Sequence, residues 1–220
     1  MERNIGSVNQ RRPYDSSRRR QQALETRAAI LDSARSRFLT DGYAATTIAS
    51  IADDTGVSVD TIYKTFGNKP GLVQVLCHTA LEGQGPVSAE NRSDNLQTTE
   101  PDPHVIIRGF GALTREVAPR INPILLLVRE AAATDPEMTQ LQQDIDRQRL
   151  TRMTHNASNL SNAGHLRRDI TVKHAAEIMW TYSSPELYQL LVVTRRWALN
   201  RYCDFIADAI IAALLPPSHH

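Results

Sequence analysis

Between Thr46 and Phe66 the chain reads Thr-Thr-Ile-Ala-Ser-Ile-Ala-Asp-Asp-Thr-Gly-Val-Ser-Val-Asp-Thr-Ile-Tyr-Lys-Thr-Phe. The chemistry these residues could do is recognition of a polyanion, not bond-making. Ile62 and Phe66, four apart, bury one face of a short helix. That leaves Val59, Asp60, Tyr63 and Lys64 outside, beside Thr61 and Thr65. Small, polar and basic side chains on an exposed helix suit the major groove of B-DNA, about 12 Å wide. Lys69, within Gly67-Asn68-Lys69-Pro70, falls in the first turn of a following helix. A cation there opposes the helix macrodipole at a cost of about a few tenths of a kcal/mol. A phosphate docked on the same amides would favour both amides and lysine.

These side chains need a scaffold, and the flanking residues supply one. Thr46 is read as the N-cap of a short helix anchored by Ile48, Ile51 and Ala52. Gly56 stands where that helix must stop and turn, a position needing φ > 0. Val57 pins the turn, Ser58 caps the second helix, and Asn68 caps the next, with Pro70 tolerated in its first turn. Two helices joined by a short glycine-containing turn form a helix-turn-helix. Ahead of it, Leu24, Ala28, Leu31, Ala34 and Phe38 repeat at helical spacing until Asp41-Gly42.

The remainder reads as helix with no strand-like alternation. Ile106, Phe110, Leu113 and Val117 form one stripe, and Asn122 or Pro123 opens an apolar segment through Val128. Pro136 starts a long helix carrying Met138, Leu141, Ile145, Leu150, Met153, Ala157 and Leu160, while Pro185 separates two later segments. Tyr202, Phe205, Ile206, Ala209, Ile210 and Ala213 form a broad apolar band near the end. The expected organisation is a basic, disordered arm (1–22), a DNA-binding head (23–70) and a helical regulatory and dimerisation body (71–220). Residues 83–103, with Gly83, Gly85, Pro86, Pro101 and Pro103, are read as a loop inside that body. The arm is either a solvated tail or a segment that follows DNA.

Composition restricts the other function classes. Of 25 Lys/Arg and 24 Asp/Glu, residues 1–80 hold 11 and 8, leaving 14 and 16 for the rest, so positive charge leans toward the head. Cys77 and Cys203 are isolated, which fits a reducing compartment, and no apolar run is long enough for a membrane span. A cytoplasmic location is expected. His104, His155, His165 and His174 lack metal-ligand spacing. No GxSxG, phosphate loop or paired catalytic carboxylates occur, so neither catalysis, metal nor cofactor is expected.

Gly42-Tyr43, Thr46-Thr47-Ile48, Ile51-Ala52, Gly56-Val57-Ser58, Ile62-Tyr63, Phe66 and Lys69 resemble the N-terminal domain of the TetR family. The resemblance covers about Ala28 to Leu76. It implies an all-α protein: a three-helix, helix-turn-helix DNA-binding domain, then a helical ligand-binding and dimerisation domain. It implies phosphate contacts from Thr47, Tyr63 and Lys69, with Ser58, Val59, Asp60, Thr61, Lys64 and Thr65 facing the groove. Asp60 stands where many relatives carry glycine or a basic residue. It either accepts from a cytosine amine or serves only as an acid in the helix's first turn.

For the body, the resemblance implies a dimeric four-helix bundle within 169–215, which gives the apolar band Tyr202, Phe205, Ile206, Ala209, Ile210 and Ala213 a dimer role. It also implies a small-molecule pocket. Phe110, Met153, Trp180 and Tyr182 either line that pocket or fill a core. The expected function is a homodimeric repressor on a palindromic operator, released by an effector of unknown identity, apolar or amphipathic in kind. A regulator without an effector, an activator, and a small-molecule-binding or enzymatic body with an ancillary DNA head are the alternatives.

Overall fold

The computed structural model describes residues 14–83 and 85–217. Four helices make the head and its outlet: α1 (Tyr14–Asp41), α2 (Ile48–Thr55), α3 (Val59–Phe66) and α4 (Lys69–Glu82). The body follows as α5 (Ala89–Thr99), α6 (Pro103–Ala132), α7 (Pro136–Asn162), α8 (Val172–Tyr182), α9 (Pro185–Tyr188) and α10 (Leu199–Leu214). A π-helical stretch, Gln189–Thr194, continues directly from α9. No strand occurs among the described residues, and no helix of theirs is long and apolar enough to cross a membrane.

Two apolar cores hold these helices. The first joins Ile30, Ala34 and Phe38 of α1 to Ile51, Ile62 and Leu72, then runs on through Ile124 and Val128 of α6 to Met138 of α7. The head therefore shares a core with the near ends of α6 and α7. The second packs Ile107 of α6 and Leu160 of α7 against Met179 of α8 and Tyr202, Ile206 and Leu214 of α10.

Four sequence expectations are corrected. Residues 14–22 of the supposedly disordered arm form the first turns of α1, while 1–13 lie outside the described residues. Arg, Gln and Leu are good helix formers, and Gln21 Nε2 donates to Glu25 Oε1 at 2.9 Å along the helix. Apolar periodicity cannot detect such a turn.

The 83–103 loop contains α5, capped by Ser88. This helix is held by charge: Arg92 pairs with Glu116 of α6 at 2.8 Å, and Arg152 of α7 reaches Asp94 at 2.6 Å.

Helix α6 passes unbroken through Pro119 and Pro123, so no new helix opens at Asn122. An internal proline costs about 3 kcal/mol. Against that, Ile121, Ile124, Leu125 and Val128 are all buried, each contributing about 1.5–3 kcal/mol.

The N-cap of α2 is Thr47, not Thr46. The Thr46 hydroxyl turns inward and donates to Gly42 O at 2.8 Å.

Candidate nucleic-acid interface

The α2–turn–α3 unit is fixed by local chemistry. Thr47 Oγ1 accepts from Ser50 N at 3.0 Å, and Thr47 N donates back to Ser50 Oγ at 3.3 Å, closing a capping box. Gly56 adopts φ 66°, and its N–H donates to Ala52 O, the left-handed stop the sequence called for. Ser58 Oγ accepts from Thr61 N at 3.2 Å and starts α3. Ile62 and Phe66 are buried, at 0% and 7% exposure, as expected from their spacing.

With about 100° of rotation per residue, Asp60 and Lys64 point away from that buried pair, and both are exposed. Val59 and Tyr63 form one flank, 37% and 49% exposed. Thr61 and Thr65 form the other, facing α1. Thr61 is only half-exposed, and Thr65 Oγ1 donates to Thr61 O at 2.7 Å. Ser58 and Thr47 are exposed, with their hydroxyls engaged in capping.

Lys69 is placed differently from what its position in sequence suggests. Its Nζ donates to Tyr43 O at 2.7 Å and Thr46 O at 3.0 Å, and lies 4.0 Å from the centre of the Tyr43 ring. The carbonyls at the end of the α1–α2 link thus absorb a charge that the macrodipole alone would disfavour. Burial lowers the lysine's pKa, and the nearby Asp135 carboxylate opposes that shift. Two of three ammonium hydrogens are used by these carbonyls.

Around this cage the α6–α7 turn meets the head. Burial raises the Tyr43 phenol's pKa, and the nearby Asp135 carboxylate adds to that shift. Asn68 Oδ1 caps α4 by accepting from Gly71 N at 2.8 Å, while its Nδ2 donates to Glu137 Oε2 at 2.7 Å. Gly71 fits because a Cβ there would stand 2.0 Å from Phe66 O. The Asn68 cap was legible in sequence, but the Asp135 and Glu137 partners were not, since those contacts join residues far apart in the chain. The same holds for Arg37 of α1, which grips Asp54 of α2 with two nitrogens at 2.6 Å each.

In the body, Phe110, Met153 and Tyr182 pack against the second core. Trp180 lies under the Arg149 guanidinium, 5.1 Å from its ring centre, and its buried Nε1 has no hydrogen-bond partner. Two open concavities of about 330 Å³ lie elsewhere: one at the α6–α7 turn, around Asp135 and Thr139, the other between α1 and α3. Sequence reasoning also missed the polar network at Arg149, which donates to Asp146, Trp180 O and Ser183 Oγ. Asp146 also pairs with Arg129, which in turn contacts Glu186. The Asp146–Arg149 spacing of three was its only local signal.

The band on α10 divides into two stripes. Tyr202, Ile206 and Ile210 are 2%, 4% and 6% exposed and serve the protomer's own core, which corrects their assignment to a dimer face. Phe205 is 40% exposed, with Ala209 and Ala213 half-exposed along the same stripe. Phe205 meets Trp197 edge-on at 5.7 Å, and Leu190 and Val193 of the π-helical stretch are exposed.

The sequence profile of the bacterial regulatory proteins of the tetR family matches residues 30–76. A probable HTH-type transcriptional regulator, ArpR of Pseudomonas putida, is 31% identical over 176 residues, covering 75% of this chain and 80% of its own. The HTH-type transcriptional regulator TtgR, also of Pseudomonas putida, is 30% identical over 193 residues, covering 83% of this chain and 84% of its own. Among solved structures, the SmeT–triclosan complex superposes with a TM-score of 0.69 at 20% identity, covering 88% of this chain and 93% of that one. That last likeness concerns the fold, which is all-helical among the described residues.

Proposed function

This chain belongs to the TetR family of DNA-binding transcriptional regulators, and we propose that it acts as a homodimeric repressor that leaves its operator when a small molecule binds the body. Residues 23–70 are the DNA-binding head and 71–220 the regulatory and dimerisation body. The observation that carries the reading is the capped, glycine-turned α3, which holds Asp60 and Lys64 outward on a buried Ile62–Phe66 footing. Ser58, Val59, Thr61 and Thr65 border the groove-facing surface. Thr47, Tyr63 and Lys69 serve phosphates. A two-fold axis sets the two α3 helices about 34–36 Å apart, in successive major grooves.

The relatives support the effector. SmeT has been solved bound to triclosan. In this chain the buried, unpartnered Trp180 N–H, with Phe110, Met153 and Tyr182 partly buried against the second core, suits an amphipathic ligand carrying one hydrogen-bond acceptor. A body that answers to no small molecule is favoured by one observation: neither described concavity is lined by these four residues.

The test is selection of bound genomic fragments by the purified, ligand-free protein, repeated with Lys64→Ala. The expected result is a palindrome with half-sites about 10 base pairs apart. The variant should lose about 1–3 kcal/mol of preference for it. No enriched palindrome at low or physiological salt overturns the reading.

A further inference from the structure

Helix α5 carries little that would hold it in place by itself. Its residues, Ala89–Thr99, include one large apolar side chain, Leu96, and only Ala89 and Ser93 are buried. A segment of that length is not a stable helix alone in water. Leu96 gives one apolar anchor, packed so closely on Gly109 of α6 that a Cβ there would collide with it. The other fastenings are polar and lie on both flanks. Toward α6, Arg92 pairs with Glu116 at 2.8 Å, beside Gly83 at the end of α4, where a Cβ would strike both partners. Toward α7, Arg152 reaches Asp94 at 2.6 Å and Glu90 at 3.1 Å, and His155 Nε2 lies 3.3 Å from Asp94. Underneath, Gln97 Nε2 donates to Asn156 Oδ1 at 3.1 Å. The closed seam is imperfect. The buried Gln97 Oε1 and Arg92 Nε have no hydrogen-bond partner, a deficit that contact with water removes.

We propose that α5 is a charge-latched strap, which lifts from α6 and α7 as a unit while both apolar cores stay closed. Two observations set this segment apart from its neighbours. Its hold is ionic where theirs is apolar: α6 and α7 each contribute to both cores, and α5 contributes to neither. Its ends are also built to turn, with Gly83 and Gly85 at positive φ before it and Pro101 and Pro103 after it. Elements held by few apolar contacts are the ones that open locally. Partly exposed ion pairs weaken as salt shortens the Debye length. Lifting uncovers Ser93, Gln97 and Asn156. On α7 Asn156 shares its face with Met153, three residues earlier and packed against the second core. The opening therefore leads from solvent to the apolar interior in which an effector would sit. That last step rests on the reading of the body as effector-binding; the strap itself does not.

The test uses the full chain carrying Ser93→Cys, a near-isosteric change at a buried position on α5. Alkylation of the new thiol by iodoacetamide, read by peptide mass, times the lifting of the strap. The buried Cys77 and Cys203, one in each core, time the opening of the cores in the same sample. Sodium chloride is raised from about 0.01 M to about 1 M, which shortens the Debye length from about 30 Å to about 3 Å. A short peptide with the same substitution corrects for the reagent. The expected result is labelling of the new thiol that rises about fivefold with salt, while Cys77 and Cys203 keep their rates. In an Arg152→Ala background the low-salt rate should already match the high-salt one. Glu90→Gln, which removes one exposed carboxylate, should move it the same way by less. A salt-independent rate overturns the strap. So does joint labelling of all three thiols in the Ser93→Cys protein, because the body then opens as a whole. If Arg152→Ala exposes all three thiols, Glu90→Gln decides, and no gain at low salt overturns the latch. No DNA enters the measurement, so its failure leaves the α3 reading intact, and failure of operator selection leaves the strap intact.

Discussion

Asp54 shows how a single surface carboxylate is recruited to hold the head. It accepts from two Arg37 nitrogens and from Ser33 Oγ, at 2.7 Å in the last case. The Arg37 hydrogen bonds, then the Ser33 one, hold its pKa at about 2 instead of the usual 3.8. A carboxylate whose folded pKa is depressed stabilises the fold fully above its unfolded value and loses that contribution as pH falls. The window here runs from about pH 4 down to about pH 2. Asp54→Asn is therefore expected to lower Tm at neutral pH, with the deficit shrinking across that window. A deficit equally large at pH 6 and pH 2 would remove the charge from the explanation. Lys69 teaches a related lesson. In sequence it is a cation at an unfavourable helix terminus, and a phosphate is the only partner in view. The fold supplies Tyr43 O and Thr46 O, two carbonyls more than twenty residues upstream.

At the scale of elements, two glycines separate a conformational demand from a steric one. Gly56 needs its left-handed φ of 66°, yet a Cβ there would meet nothing within 4 Å. Gly56→Ala is expected to cost about 1–2 kcal/mol through backbone strain alone. Gly71 has ordinary φ but packs against Phe66 O, where a Cβ would stand at 2.0 Å. Because that neighbour is backbone, α4 must shift, and Gly71→Ala should cost more than Gly56→Ala. Denaturant titration of both variants gives the order, and the reverse order would refute the close approach. Gly56 was legible in sequence and Gly71 was not, for a physical reason. Turn and cap signals are local, so Gly56, Ser58 and Asn68 could be read directly. The approach of α4 to the end of α3 depends on how the chain folds back. The same division explains α5, whose support comes from Glu116 and Arg152 on other helices, and α6, whose prolines are outweighed by packing on both sides. It also explains why one apolar band on α10 concealed two stripes with different duties.

At the scale of the whole molecule, the shared core has a consequence for regulation. Asn68 bonded to Glu137, the Asp135 carboxylate beside Tyr43, and the apolar continuity into α6 and α7 leave the head no independent hinge at α4. A ligand that shifts α6 against α7 therefore shifts α3, provided its affinity differs between the two arrangements. Converting such a shift into release also requires a fixed partner, which the outward stripe of α10 can provide. Phe205, Ala209 and Ala213 form the α10 stripe left over once Tyr202, Ile206 and Ile210 are committed inward, and Leu190 and Val193 are exposed apolar residues of the π-helical stretch. If two copies meet there, Phe205→Glu buries an unpaired charge at their centre. An uncompensated buried charge costs about 3–5 kcal/mol, which is roughly two to three and a half decades in the dimer dissociation constant. Phe205 lies outside both cores, so the protomer should keep its helicity and melt normally. Sedimentation should then find the wild type at twice the chain mass and the variant at the chain mass. The variant should lose its advantage on the palindrome while retaining salt-sensitive binding to random DNA, since each head still carries α3. A variant that stays dimeric would move the interface off this stripe. A wild type that is monomeric at micromolar concentration would leave the spacing of the two α3 helices without a cause.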